Sequence, residues 1–316
     1  VFKLIQNELM KIFKRPGTYV MIAILIVITS IAGAFTKYEQ RGLDAKVDPK
    51  WEQNLKEENA ALKKQYDAAP NKMVKQSFKK EIAINEYRLN HHIQPESGYN
   101  VWNFVKEVSG LISLAGLFTI IISAGIVASE FNWGTIKLLL IRPINRSKIL
   151  ASKYLTVILF AFLMMAILFV YSTALGAILF GMPEKAANYL NYYNGHITEQ
   201  NMMVHLIIYY GLNSIDMFML ATMAFMISSV FRNSSLAIGL SIFLLFTGST
   251  LTNLVAMKFD WAKYILFANT NLMNYYDGTP TVEGMTMTFS VVMIIIYFLI
   301  FQALAFTIFK KRDVAA

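Results

Sequence analysis

Windows of about 20 apolar residues, almost free of charge, recur along this chain, and nothing else in the sequence narrows its fold as much. As helices rising 1.5 Å per residue, such windows cross a hydrocarbon core about 30 Å thick. They run Thr18–Thr36, Val101–Ala128, Ile149–Phe180, Val204–Phe231, Leu236–Met257 and Met287–Phe309. Core helices of soluble domains rarely extend this far without a charge. A chain that is 56% hydrophobic and only 16% charged agrees with that reading. The expected fold is an all-α integral membrane protein of about six transmembrane helices with no soluble catalytic domain.

Charge sets the expected orientation. If the N-terminus lies inside, the inward segments hold Lys3, Lys11, Lys14, Arg15, Lys137, Arg142, Arg146, Lys148, Lys153, Arg232, Lys310, Lys311 and Arg312. Only Glu8, Glu130 and Asp313 oppose them, which is the bias that retains a segment on the cytoplasmic side. A multi-pass protein of the cell membrane with both termini cytoplasmic follows. Residues 1–17 read as an amphipathic interfacial helix, with Phe2 to Phe13 helical, and 310–316 as a short inward tail. The basic residues flank apolar windows instead of forming a stripe on a polar helix, so the lipid bilayer, and not nucleic acid, is the expected partner. Ala32-Gly33-Ala34 resembles a signal-peptidase site, but the apolar stretch exceeds a usual signal core and an uncleaved span is expected. The absence of cysteine excludes disulfides, thiolate catalysis and cysteine-held metal clusters.

Residues 37–100, too long for the charge rule to bind, carry ten acidic residues besides their lysines. Asp48-Pro49 is a helix-start signal, and Trp51, Leu55, Leu62 and Tyr66 then recur at helical spacing. Ala68-Ala69-Pro70-Asn71 interrupts the pattern, and Val74, Phe78, Ile82 and Leu89 mark a second helix ended by Pro95 and Gly98. The pattern predicts an extracytoplasmic helical hairpin that either shields the bundle or captures a substrate or partner. His91-His92 lack a third ligand at useful spacing and read as solvated loop, so no metal site is expected.

No G-x-x-x-x-G-K-[ST] phosphate loop, His-Glu-x-x-His zinc motif or Gly-x-Ser-x-Gly elbow occurs. The chain is therefore not expected to hydrolyse ATP itself. Residues 129–148, between spans two and three, carry more information. Gly134 permits a sharp turn, Thr135 can cap a helix and Pro143 stops one. Between them Ile136, Leu139 and Leu140 form the apolar side of a short helix. Such a helix at the membrane surface either transmits force from a soluble partner or is an ordinary interfacial anchor.

Glu130, Gly134-Thr135, Leu138-Leu139, Arg142-Pro143, Arg146 and Lys153 resemble the E…GT…LL…RP…R…K stretch of type-2 permeases of ATP-binding-cassette (ABC) transporters. In residues the resemblance rests on about 25 positions; in layout it covers nearly the whole chain. It implies a permease subunit of an exporter, working as a dimer of identical or similar subunits, with separate ATPase subunits docked on the cytoplasmic face. Glu130 to Arg146 is then the coupling element, and Lys3, Lys11, Lys14 and Arg15 lie against lipid headgroups or the ATPase. The chain itself binds no cofactor, and ATP and Mg belong to the partner. The long first outward loop departs from the simplest family pattern and leaves the substrate class open.

Asp216 lies well inside an apolar window, where an unpaired charge costs about 2.5–3.5 kcal/mol. It either faces a pathway in the bundle interior or, if His205 to Asn213 form a separate interfacial helix, sits at the outer surface. Lys106 and Glu107 pair or lie at the outer interface. Lys258 to Tyr264 mixes charges and aromatics, as suits an outer interfacial helix or a gate over the path. Two rival readings stand beside the permease. One is a non-transporting sensor or assembly factor acting through the 37–100 hairpin; the other is a polytopic enzyme using Asp216 and the histidines.

Overall fold

The computed structural model describes residues 1–41, 49–69, 72–95, 98–135, 144–183, 188–193, 196–231, 233–277, 280–282 and 284–311. Its helices are α1 (Phe2–Phe13), α2 (Pro16–Glu39), α3 (Trp51–Ala68), α4 (Lys72–Asn90), α5 (Val101–Val108), α6 (Ile112–Asn132) and α7 (Arg146–Phe180). A two-stranded hairpin follows, β1 (Asn188–Tyr193) and β2 (His196–Asn201). Then come α8 (Met202–Phe231), α9 (Ser234–Ala256), α10 (Leu266–Asn269), α11 (Met273–Asp277) and α12 (Met287–Lys311). Six segments are long and apolar enough to cross a membrane: α2, the α5–α6 pair through the 3₁₀ turn Ser109–Leu111, α7, α8, α9 and α12. The protein is a multi-pass α-helical membrane protein.

Most helices outrun the apolar windows by a few residues, because polar end residues continue the backbone ladder where water can reach it. Pro16 occupies the first turn of α2, the position where its missing N–H costs nothing. Asn100 caps α5, its Oδ1 accepting from the N–H groups of Trp102 at 2.9 Å and Asn103 at 3.3 Å. Asn201 does the same for α8, accepting from Met203 N–H at 3.0 Å.

The α5–α6 span and α8 are the most buried and form the centre, whereas α2, α9 and α12 leave most of their apolar surface outward, as lipid-facing helices do. Small residues let α6 and α8 approach closely. Ser123 Oγ donates to the Ala221 carbonyl, and Ser228 Oγ to the Ala124 carbonyl, both at 2.6 Å. Ser228 Oγ also accepts from Ala128 N–H at 3.0 Å. Hydroxyls that reach a neighbouring backbone in this way satisfy themselves without water, and they fix the register of the two helices.

One end of the bundle gathers α1, the α6–α7 connection, the α8–α9 turn and the close of α12. Asn132 Nδ2 donates to Ser234 Oγ at 3.0 Å, and Arg146 Nη1 to the Lys310 carbonyl at 3.4 Å. The opposite end carries α3–α4, the β-hairpin and the segment between α9 and α12. Contacts between Lys63 and Glu86 and between His92 and Glu52, both at 3.0 Å, make α3 and α4 antiparallel, and Leu55 and Leu62 are buried between them. The capping residue expected at Asp48 lies outside the described residues. Tyr87 of α4 donates to Glu199 of β2 at 3.4 Å, which ties the helical pair to the strands. These strands are an addition to the all-α expectation. They pair antiparallel from Asn188↔Asn201 to Tyr193↔His196, in a stretch rich in tyrosine with Ile197 and Thr198, residue types that favour extended backbone.

Between α9 and α12 the chain turns back against the bundle. Asn269 is fully buried, donating to the carbonyls of Lys263 and Ile265 at 2.8 Å and accepting from Ser290 Oγ at 2.7 Å. Gly248 of α9 makes room for it: a Cβ there would meet the Phe267 ring at 2.5 Å. Lys258 to Tyr264 includes a 3₁₀ turn, Asp260–Tyr264, that buries Ala262 but leaves Phe259, Trp261 and Tyr264 exposed, and it is the stretch after it, from Leu266 to Thr270, that packs inward.

Candidate functional site

Four charged side chains from three helices meet at the α1 end of the bundle. Glu8 and Lys11 come from α1, Glu130 from the last turn of α6 and Lys153 from the second turn of α7. Helical spacing puts Glu8 and Ile12 on the buried face of α1, with Lys11 beside them at the rim. Lys153 has only 1% of its side chain exposed, so a partnerless ammonium there would carry the full cost of leaving water. It is fully served instead. Its Nζ donates to Glu8 Oε2 at 2.7 Å, to Glu130 Oε1 at 3.1 Å and to the Ile126 carbonyl at 3.1 Å.

Lys11 closes the ring, donating to Glu8 Oε1 at 2.9 Å and to Glu130 Oε1 at 2.8 Å. Two carboxylates each bridge two ammoniums, so the site is electrically neutral and every charge has opposite charge on both sides. Burial works against the Lys11 ammonium, yet the hydrogen bonds and charges of Glu130 and Glu8 outweigh it and hold its pKa above the usual lysine value.

The chain beyond α6 is drawn into the same site. Gly134 takes φ +69°, the left-handed conformation that glycine adopts without strain. The turn brings Thr135 back, and its hydroxyl donates to Glu130 Oε2. Thr135 thus serves the carboxylate, and the short helix it is expected to cap lies outside the described residues. Arg15 lies just past α1 with its guanidinium 5.0 Å over the ring of Trp133. The stretch that includes Leu138, Leu139, Arg142 and Pro143 lies outside the described residues.

Other expected residues sit apart from the ring. Lys3 on α1 and Lys14 just past it are exposed, and Arg146 serves the last turn of α12 through the Lys310 carbonyl, where a cation complements the helix dipole. Asp216 is midway along α8, which is one continuous helix, so no separate interfacial helix precedes it. It stands 15 residues, about 22 Å, from Phe231 along the helix. Its carboxylate faces the Thr270 hydroxyl, and its Oδ1 is buried without a hydrogen-bond partner among the described residues. Glu107 accepts from Tyr99 and from Thr36 at 3.3 Å, while Lys106 Nζ lies 5.4 Å over the Tyr189 ring. Among the described residues no group of three or more His, Asp and Glu could hold a metal ion.

Glu8 was not among the residues singled out from sequence, although a signal was present: one acid on the apolar stripe of an otherwise basic helix, three residues before a lysine. What the ring does physically is fasten α1, the head of the α6–α7 connection and α7 to one another through charges that cannot separate cheaply.

Residues 72–315 match a family model described as "Protein of unknown function (DUF2705)". The chain belongs to the DUF2705 family. It is also 54% identical over 317 residues to "Uncharacterized protein YhcI" of Bacillus subtilis strain 168, with both proteins covered from end to end. To "Uncharacterized membrane protein YdbK" of the same organism it is 32% identical over 217 residues, 68% of this chain and 84% of that protein. The DUF2705 match takes in Glu130 and Lys153 but begins after Glu8 and Lys11, so half of the ring lies in the matched region and half in the helix before it.

Proposed function

We propose that the chain is the permease subunit of an ATP-driven ABC exporter, working as a dimer and coupled to separate ATPase subunits that bind ATP and Mg. The observation that carries this reading is the position of Glu130. It heads the stretch that resembles the coupling element of type-2 permeases, and it is the residue through which that stretch is tied to α1 and α7. A force applied to the connection after Gly134 reaches two helices at once, because the carboxylates resist separation from the Lys153 ammonium, which is buried. α1, the α6–α7 connection, the α8–α9 turn and the close of α12 share one end of the bundle, and the basic residues collected there make it the cytoplasmic end.

The chain has no cysteine, so a thiol introduced at Ser147, in the first turn of α7, is the sole target for labelling. In Ser147→Cys a membrane-impermeant maleimide reacts in inverted vesicles and not in right-side-out ones, and a bound ATPase slows the reaction. Labelling from the outer face, or no protection by the ATPase, contradicts the placement of the docking end.

A further inference from the structure

The ring of charges has an open side. A cleft between α1 and α6 is lined by Glu8, Lys11, Ile12, Arg15, Ile122, Ile126 and Glu130. Its floor is apolar, since Ile12, Ile122 and Ile126 are all buried there. Its acids are already spoken for, because Glu8 and Glu130 each lie between Lys11 and Lys153. The charge left over at the mouth is positive. Lys11 keeps 45% of its side chain exposed, and its contacts to the two carboxylates leave one ammonium hydrogen for an outside acceptor.

Arg15 supplies the rest. Its guanidinium lies over the Trp133 ring and, among the described residues, has no acidic partner, so its N–H edge is available to an anion. Trp133 is itself largely exposed at the end of a membrane span, where tryptophan marks the headgroup level. Immediately beyond Arg15, α2 enters the membrane at Pro16 and presents Tyr19, Val20, Ile24 and Val27 outward as a continuous apolar face. Cations at the headgroup level, an apolar floor behind them and an apolar helix face leading into the bilayer match, in order, the phosphate, the glycerol region and the acyl chains of one lipid.

We propose that this cleft binds the phosphate of an anionic phospholipid, with Arg15 and Lys11 as its donors and the acyl chains lying along α2. An arginine fork suits phosphate oxygens, and an ammonium adds a point charge beside it. The binding holds α1 at the membrane surface independently of what the bundle transports.

The test uses the full chain with Trp51, Trp102 and Trp261 replaced by Phe, so that Trp133 is the sole tryptophan and can be excited apart from the tyrosines. The protein is reconstituted into vesicles of brominated phosphatidylglycerol mixed with unbrominated phosphatidylcholine, or the reverse, and quenching of Trp133 is compared. Quenching favours the anionic lipid, and Arg15→Gln lowers that preference about fivefold, the effect of about 1 kcal/mol for one basic residue at an anionic surface. Arg15→Lys keeps most of the preference, and Lys3→Gln, the same charge lost about 18 Å away along α1 and so beyond a Debye length of about 8 Å from the cleft, changes it by less than about twofold. Equal quenching by both lipids overturns the proposal, as does a preference that survives Arg15→Gln or falls equally with Lys3→Gln. Relief of quenching by inorganic phosphate assigns the cleft to free phosphate and overturns the lipid reading. A Trp133 untouched by either lipid but shielded by an added ATPase assigns the surface to protein and overturns it too.

Discussion

Replacing Lys153 with methionine lowers the stability of the detergent-solubilised protein by about 3–5 kcal/mol, the cost of leaving buried charge without its partner. Methionine fills nearly the same volume, so packing contributes little. The loss is electrostatic: Glu8 and Glu130 are left with Lys11 alone between them, and the Ile126 carbonyl loses a donor. The charge arithmetic makes a companion prediction within the same experiment. Lys153→Met combined with Glu130→Gln leaves the neutral pair Glu8 and Lys11, and it recovers a large part of what the single variant loses. Lys11→Gln, at the half-exposed corner, costs no more than about 1 kcal/mol because solvent replaces much of what it gives. Thermal or urea unfolding of the three variants checks the series. Equal destabilisation by Lys153→Met and Lys11→Gln contradicts the account of the ring.

Reversing the charge at Glu130 has the larger functional effect. In Glu130→Lys three cations face Glu8 alone, and Thr135 loses the carboxylate that holds the chain back after Gly134. On the permease reading, ATP-driven transport by the reconstituted complex then falls about 5- to 150-fold, the span of a coupling energy of about 1–3 kcal/mol. The exchange Glu130→Lys with Lys153→Glu restores opposite charges across the same contact and recovers part of the loss. Transport unaffected by the reversal contradicts a coupling role for the ring.

The spans were legible because the bilayer imposes a length on them, and long charge-free windows have few other uses. The α3–α4 pair was legible for a similar reason, since Leu55 and Leu62 repeat at the helical period over a polar background. The β-hairpin was not. Its tyrosines read equally well as interfacial aromatics, and only its pairing with a partner strand decides the backbone. After α9 the run of charges and aromatics from Lys258 to Tyr264 is legible as surface, but the inward packing of Leu266 to Thr270 behind it depends on the small size of Gly248 beside Phe267, a relation between positions apart in sequence. The ring shows the same limit. Glu130 and Lys153 lie on one recognisable stretch, whereas Glu8 joins them only because α1 packs on α7 in this register, and a local pattern on α1 could flag the acid without naming its partners.

The central claim is that this chain supplies a membrane path to a separate ATPase. Purification of the wild-type protein from native membranes in mild detergent tests it most directly, with Glu130→Lys/Arg142→Glu prepared in parallel. The account predicts a soluble nucleotide-binding ATPase in the wild-type preparation and its loss from the variant, with no ATP hydrolysis by the chain alone. A wild-type preparation that hydrolyses no ATP and carries no such partner would contradict the permease reading and turn attention to the α3–α4 hairpin as the working surface.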